Sequence, residues 1–359
     1  MAHYPYKRIA VKVGSNVLTM PDGTLDVTRM SAIVDQVATL HKAGVEVLLI
    51  SSGAVASGRS VVAPSRKLDA VDQRQLFSAI GQVILINRYH DLFHQKGLVC
   101  GQILTTKENF SSRRHYLNQK NCMTVMLENG VIPVINENDT ISVTELMFTD
   151  NDELSGLIAS MMNVEALLIL SNIDGIYNGN PNDPESKVIL EIQPETDLKR
   201  FIADEKSSFG RGGMLTKCNI ARKVAEEGIE VVIANGRKDS ILPNLLDANM
   251  NVVCTRFIPN RKASAVKKWI AHSDGFAKGG IFINQGCFDA LYKKATSILP
   301  VGITRMEGDF EKGDIVTVYD PQGKAIGVGK AQYGSETAKD ILGKKGEKAL
   351  IHYDYLHLD

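Results

Sequence analysis

Two lysines stand in company that suits phosphate chemistry. Lys12 interrupts the apolar run RIAVKVG, Arg8 to Gly14. A charge inside such a strand is costly unless it reaches a polar partner. If side chains alternate, Lys12 shares a face with Gly14. Gly14, Ser15 and Asn16 then form a small-residue turn whose backbone N–H groups are open to an anion. The same residues also suit a lysine snorkelling at a sheet edge above an ordinary Gly-Ser turn. Lys217 sits in a helical stretch opened by Gly210-Arg211-Gly212-Gly213, where glycines let the backbone approach an anion closely.

The polar residues that could hold an acceptor follow apolar strands. Ser51, Ser52 and Gly53 end one strand; they offer small donors, or simply a serine N-cap. Asn136, Glu137, Asn138 and Asp139 follow VIPVI. Asp150, Asn151, Asp152 and Glu153 open a helix, where acidic residues are favoured by the dipole. Asn and Asp accept from an amino group, and helix N–H groups bind a carboxylate; an amino-acid ligand needs both. Asp139 or Asp152 could also organise Mg²⁺ through water. Ser171-Asn172, followed by Asp174-Gly175, ends a further strand. Phosphoryl transfer needs positioning and positive charge rather than a protein nucleophile, since an acceptor carboxylate attacks the γ-phosphate itself. There is no GxxxxGK[ST] and no GxGxxG after the first strand, so neither a Walker A loop nor a Rossmann site is indicated. His90 and His94 have i, i+4 spacing without a third ligand, which suits a solvated helix face.

The elements that must position these residues alternate. Strand patterns at Arg8 to Gly14, Val45 to Ser51, Leu98 to Leu104, Val131 to Ile135, Ala166 to Ser171 and Glu230 to Asn235 are separated by helical patterns. The helices run over Asp26 to Ala43, Ala70 to Lys96, Tyr116 to Glu128, Asn151 to Met162 and Met214 to Glu227. Continuous apolar strands between helices indicate a mainly parallel sheet covered on both faces, with ligands beyond the strands' carboxyl ends. Lys262 to Ala271 reads as a connecting helix. Beyond Lys278, short alternating strands follow, with GDIVTVYD and AIGVGKA joined by a Pro-Gln-Gly-Lys hairpin turn.

The 359 residues suit two or three domains. Forty-one basic residues balance forty-one acidic ones, so no global field recruits nucleic acid or anionic membrane. Five scattered cysteines read as free buried thiols of a reducing, cytoplasmic compartment. No apolar run nears the ~20 residues of a membrane span, and the N-terminus lacks a signal-peptide pattern.

The ordered set VKVGSNVL, ISSGAVASG, INENDT, DNDELS and GRGGMLTK resembles the amino acid kinase family from about Arg8 to Phe257. The likeness is strongest to members that phosphorylate the glutamate side chain. The tail resembles a PUA domain. The resemblance implies a three-layer αβα sandwich on a mainly parallel sheet over residues 1–260. A connector over 261–277 and a small β-rich PUA-like barrel over 278–359 would follow. It implies ATP and Mg²⁺ as cofactors and L-glutamate as acceptor. The product would be L-glutamyl 5-phosphate, at the start of proline biosynthesis. Proline as feedback inhibitor, a dimer or tetramer of the chain, and a glutamyl phosphate reductase partner are also implied. Lys12, Lys217 and Asp152 would be catalytic, with Asp152 ordering the lysines or the metal. Ser52, Gly53, Asn136, Asp139 and Asn151 would serve glutamate. Lys12, Gly14, Ser171, Asn172, Arg211, Gly212, Gly213, Met214 and Lys217 would serve the nucleotide. Two departures stand out: Ser171-Asn172 replaces the family's Thr-Asp, and Arg211 replaces a threonine. The competing readings are a sibling kinase for another small carboxylate, and an RNA-binding protein on a degenerate kinase scaffold. Against the latter, the tail shows no dense aromatic-basic stripe.

Overall fold

The computed structural model describes residues 4–358 apart from 112, 143–147, 149, 182, 197–213, 248, 261–276 and 294–295. The chain divides into two compact units, residues 1–107 with 120–262, and residues 108–119 with 263–359.

The first unit is built on an eight-stranded sheet. Its strands are β1 (Arg8–Val13), β2 (Glu46–Ser51), β3 (Val99–Thr105), β4 (Val131–Glu137), β5 (Ala166–Ser171), β6 (Glu191–Ile192), β7 (Glu230–Asn235) and β8 (Thr255–Phe257). They lie in the order β3-β4-β2-β1-β5-β7-β8-β6. The six strands from β3 to β7 are parallel, and β8 runs antiparallel to β7. That reversed edge had no pattern in the sequence, since three and two residues cannot show a period.

The helices are α1 (Ser15–Leu18), α2 (Val27–Lys42), α3 (Ala54–Arg59), α4 (Ala70–Gln95), α5 (Glu108–Ser111), α6 (Arg113–Glu128), α7 (Asn151–Met162), α8 (Met214–Glu226) and α9 (Ile241–Leu246). One face of the sheet presents Ile9, Val11 and Val13. Against them pack Ile33, Val37 and Leu40 of α2, Tyr89 and Phe93 of α4, and Leu242 and Leu245 of α9. The opposite face of β1 carries Ala10 and Lys12, and α7 lies on it with α8 alongside. This is the three-layer αβα sandwich. Helix α7 is buried from Leu154 to Met162, so it forms a wall of the core rather than a surface ramp. Helices α3 and α4 touch through glycines: a Cβ on Gly81 would lie 1.7 Å from the Ala54 carbonyl oxygen.

Besides α5 and the start of α6, the second unit contains β9 (Gly279–Ile283), α10 (Gln285–Lys293), β10 (Ile303–Gly308), β11 (Ile315–Tyr319), β12 (Ala325–Ala331), α11 (Ser335–Asp340) and β13 (Ile351–Leu358). Its sheet runs β10-β9-β11-β12-β13 around a core of Ile281, Ile283, Val316, Val318 and Ile351. The hairpin expected at Pro-Gln-Gly-Lys joins β11 to β12, with Asp320 accepting from the N–H groups of Gln322 and Lys324. The tail's linear sequence holds no dense aromatic-basic stripe, and strand pairing gathers two small, separate cation–ring clusters. Pairing sets Arg305 over the Phe282 ring at 3.8 Å, Phe282 on Tyr319 at 4.6 Å, and Lys330 over Tyr355 at 4.2 Å. The strands gather what the linear sequence keeps apart. The connecting helix expected at Lys262 to Ala271 lies outside the described residues.

The cysteines are free, but only Cys218 and Cys254 are buried; Cys100 and Cys287 are half-buried and Cys122 is exposed on α6, so the expectation of buried thiols holds for two of the five. His90 and His94 are exposed and stack on each other at 5.9 Å.

Candidate active site

The parallel strands bring their carboxyl ends to one edge. In the order β4-β2-β1-β5-β7, the chain leaves β1 toward β2 and leaves β5 toward the β7 side, so the crevice opens between β1 and β5. Gly14 bridges that seam: its N–H donates to the Leu170 carbonyl at 3.0 Å. A Cβ on Gly14 would lie 3.6 Å from Lys12 Nζ, so its missing side chain keeps the approach to the ammonium open. Ser15 and Asn16 are exposed at the turn.

Lys12 is only 6% exposed and lies on a central strand, which removes the snorkelling-at-an-edge reading. Its partner is Asp152, in the first turn of α7, with Nζ 2.6 Å from Oδ1. The other oxygen of Asp152 accepts from Lys217 of α8. Two ammonium groups from separate elements thus share one buried carboxylate. Burial opposes the Asp152 charge, but Lys12 and Lys217 outweigh it and hold the carboxyl down at about 2. For Lys12, burial is the larger effect: it lowers the ammonium below its usual range, and Asp152 restores only part.

Asp150 caps α7, accepting from the N–H groups of Asp152 at 2.9 Å and Glu153 at 3.1 Å. That corrects one expectation: these helix N–H groups are engaged by the chain's own carboxylate. Burial first, and then the neighbouring Asp152 charge, push Asp150 up.

On the β2–β4 side, the Asn151 side-chain amide donates to Ser52 Oγ at 2.9 Å and to Asn136 Oδ1 at 3.0 Å. Ser52 is not an N-cap. Gly53 occupies that position in the left-handed region at φ +109°, which a residue with a Cβ rarely adopts. Tyr89, fully buried in α4, supports the turn through a 2.7 Å hydrogen bond with Ser51 Oγ. Asn136, Glu137 and Asp139 are buried rather than displayed on a surface loop. Arg74 of α4 clasps both acids, through Nε to Asp139 and Nη2 to Glu137, each at 2.5 Å.

On the β5–β7 side, Ser171 ends β5 and accepts at its carbonyl from Gly236 N–H at 2.8 Å. Asn172 follows, accepting from Ser171 Oγ at 3.4 Å. Asp174 pairs with Lys238 at 2.8 Å and accepts from the Asn235 amide at 3.0 Å. Arg237 reaches across to the Asn16 carbonyl at 2.8 Å. Met214 begins α8, while Arg211, Gly212 and Gly213 lie outside the described residues.

The structure therefore brings Lys12, Asp152 and Lys217 together at the seam, and Ser52, Asn136 and Asn151 beside it. Arg74, Asn235, Arg237 and Lys238 escaped sequence reading. Asn235 ends the strand EVVIAN and Arg237 and Lys238 follow it, so the strand-end rule that flagged the others covers them too. Arg74 is a helix-surface arginine by pattern, and no local signal announces its two carboxylate partners.

The fold and two lysines on one buried carboxylate fit a small-molecule kinase. Residues 7–235 match the amino acid kinase family, and residues 279–353 match the PUA domain. The chain belongs to the amino acid kinase family. It is 68% identical over 356 residues to a glutamate 5-kinase of Bacteroides thetaiotaomicron, covering 99% of each chain. It is 48% identical over 363 residues to a glutamate 5-kinase of Chlorobaculum tepidum, covering 99% of this chain and 98% of the other. Solved structures of isopentenyl phosphate kinase share the fold, with a TM-score of 0.50 at 16% identity over 70% of this chain and 99% of the other. So does carbamate kinase from Giardia lamblia bound to AMP-PNP, with a TM-score of 0.51 at 17% identity over 71% and 99%.

Proposed function

We propose that the chain transfers the γ-phosphoryl group of ATP to the side-chain carboxylate of L-glutamate. The products are L-glutamyl 5-phosphate and ADP, the first step of proline biosynthesis. A carboxylate oxygen of glutamate forms the new P–O bond as the bond to the β,γ-bridging oxygen breaks, and ADP carries away the electron pair. The observation that carries the reading is the Lys12–Asp152–Lys217 arrangement at the seam between β1 and β5. Full-length similarity to glutamate 5-kinases supports glutamate as the acceptor.

In this reading, Lys12 and Lys217 meet the negative charge of the transferring phosphoryl group, and Asp152 holds them apart at a fixed spacing. Asp139 and the Asn151–Asn136–Ser52 network hold the amino acid, and Gly53 lets the β2 turn approach it. Gly14, Ser171, Asn172 and the segment Arg211 to Met214 serve the nucleotide. Both oxygens of Asp152 are engaged by lysines and Asp139 by Arg74, so this donor set suits a Mg²⁺ that arrives on the nucleotide phosphates. When bound, that ion would neutralise negative charge on the nucleotide phosphates.

The proposal extends to proline as feedback inhibitor, a dimer or tetramer of the chain, and a glutamyl phosphate reductase that consumes the acyl phosphate. The five unpaired thiols support a reducing, cytoplasmic setting. Among the described residues, no helix is long and apolar enough to cross a membrane. We take the catalytic domain as 1–260, the connector as 261–277 and the PUA-like domain as 278–359. The test is ADP release with MgATP and L-glutamate, compared with L-aspartate and N-acetyl-L-glutamate. Turnover with glutamate is expected. Turnover only with one of the others refutes the acceptor.

A further inference from the structure

We infer that Arg74 is a positioning residue for the amino-acid acceptor: its guanidinium sets Asp139 and Glu137 so that the loop after β4 offers one fixed, ionised carboxylate to the substrate ammonium. This rests on the reading that Asp139 receives that ammonium.

The geometry is specific. Arg74 projects from α4 and meets Asp139 and Glu137 through different nitrogens of one planar group. The two acids are 6% and 2% exposed, so they face each other with little water to screen them. Glu137 also fastens the far end of the loop, accepting from Phe148 N–H at 3.0 Å. Two further α4 side chains follow the same line: Gln75 donates to the Thr140 carbonyl at 2.9 Å and Gln82 to the Glu137 carbonyl at 3.4 Å. Helix α4 is thus stitched to the segment on both sides of Asp139, with Arg74 as its only charged tie among the described contacts.

Electrostatics gives the tie its purpose. Burial pushes Glu137 and Asp139 up, and Asp139 pushes Glu137 further; Arg74 acts against this on both. Among the described residues, the other groups acting on Glu137 are the Ser142 hydroxyl and the Phe148 N–H, neither of which carries charge. Two buried acids without a cation share a proton, and one becomes neutral. A proton shared with Glu137, the acid pushed up further, weakens the charge that Asp139 offers an ammonium group. Lysine would keep the charge but not the two-edged fork. Arg74 therefore acts through Asp139 and belongs to acceptor affinity rather than to phosphoryl transfer.

The test is steady-state kinetics of the full chain carrying Arg74→Met, Arg74→Lys or Asp139→Asn, from about pH 6 to 8.5. Arg74→Met is expected to raise KM for glutamate about tenfold or more. KM for ATP, and kcat at saturating glutamate, should stay within about threefold. KM for glutamate should climb more steeply with acidity than in the unmodified chain, and Arg74→Lys should recover part of the loss. An unchanged KM for glutamate, or an equal loss in kcat and in both KM values, overturns the inference. Should Arg74→Met fail to fold, Arg74→Lys decides: a raised, more acid-sensitive KM for glutamate supports the role, and an unmodified profile overturns it. Asp139→Asn separates the two layers. If it leaves KM for glutamate unchanged, the reading of Asp139 fails and this inference falls with it. If it raises that KM while the Arg74 variants do not, the inference alone fails.

Discussion

Asp152→Asn is the sharpest perturbation of the site. The amide keeps the shape of the carboxylate and removes its charge. Asp152 is 2% exposed and carries Lys12 on one oxygen, at 2.6 Å, and Lys217 on the other. Two ammonium groups on opposite oxygens of one carboxylate lie roughly 5–6 Å apart, so with an effective dielectric of about 20 their repulsion is about 3 kcal/mol. The carboxylate offsets that; the amide does not. Lys12 is already lowered by burial, so it is the group that gives up its proton. The site then enters the reaction with one cation fewer near the transferring phosphoryl group, and losing one such electrostatic contact costs about 10²–10³ in kcat. The assay is coupled ADP release at saturating glutamate and MgATP, with circular dichroism to show that the variant folds. Activity should recover partly as pH is lowered, because Lys12 regains its proton. A folded variant whose kcat stays within about threefold of the unmodified chain, with no altered pH profile, refutes the argument.

Other outcomes follow from the same geometry. Asn151→Ala removes the bonds to Ser52 and Asn136, and is expected to raise KM for glutamate about tenfold while leaving KM for ATP alone, read from initial rates. Gly81→Ala places a methyl group 1.7 Å from the Ala54 carbonyl oxygen; the α3–α4 contact must open, costing about 2–4 kcal/mol, which a urea titration measures. In the unmodified chain, KM for glutamate should rise before kcat falls as pH drops from about 7 toward 5. The sign follows from the Glu137–Asp139 pair, which burial raises, so that it takes up a proton before Asp152, which stays ionised down to about 2. An acid limb in kcat alone would contradict this.

The central architecture was open to reading because its signals are local. Strands β1, β2, β4, β5 and β7 are continuous apolar runs, and Asp26 and Gly44 bracket α2, with Asp26 accepting from Arg29 N–H and Gly44 at φ +89°. Lys12 announced itself as a charge in an apolar strand. What escaped depends on distant pairing. Strands β8 and β6 are too short for a period. Gly58 and Gly81 look like ordinary helix glycines until α3 and α4 meet. Arg74 meets Asp139 across 65 positions, and no spacing in α4 foretells it. The row of Arg305, Phe282 and Tyr319 exists only because β10, β9 and β11 pair in that register. Residues that act through tertiary partners leave no periodic mark, whereas residues that end a strand do.

The burial of Lys12 links fold and function. A buried ammonium on a central strand is tolerable only with a counter-charge, and the counter-charge comes from the first turn of α7. Asp152 can hold that place because Asp150 caps the helix and fixes the turn. Lys217 reaches the same carboxylate from α8, which packs beside α7. The packing of two helices on one face of the sheet therefore sets the spacing of two cations. Two ammonium groups share the one carboxylate of Asp152, with Asp150 beside them, and a nucleotide phosphate is the group that would meet the second cation. Substituting Lys12 by a neutral residue would leave Asp152 and Lys217 as a simple pair, without the second cation. Such a variant should fold at least as well as the unmodified chain yet bind MgATP weakly. A gain in thermal stability together with a lost phosphate affinity would show that Lys12 is kept for the reaction, at the expense of the fold.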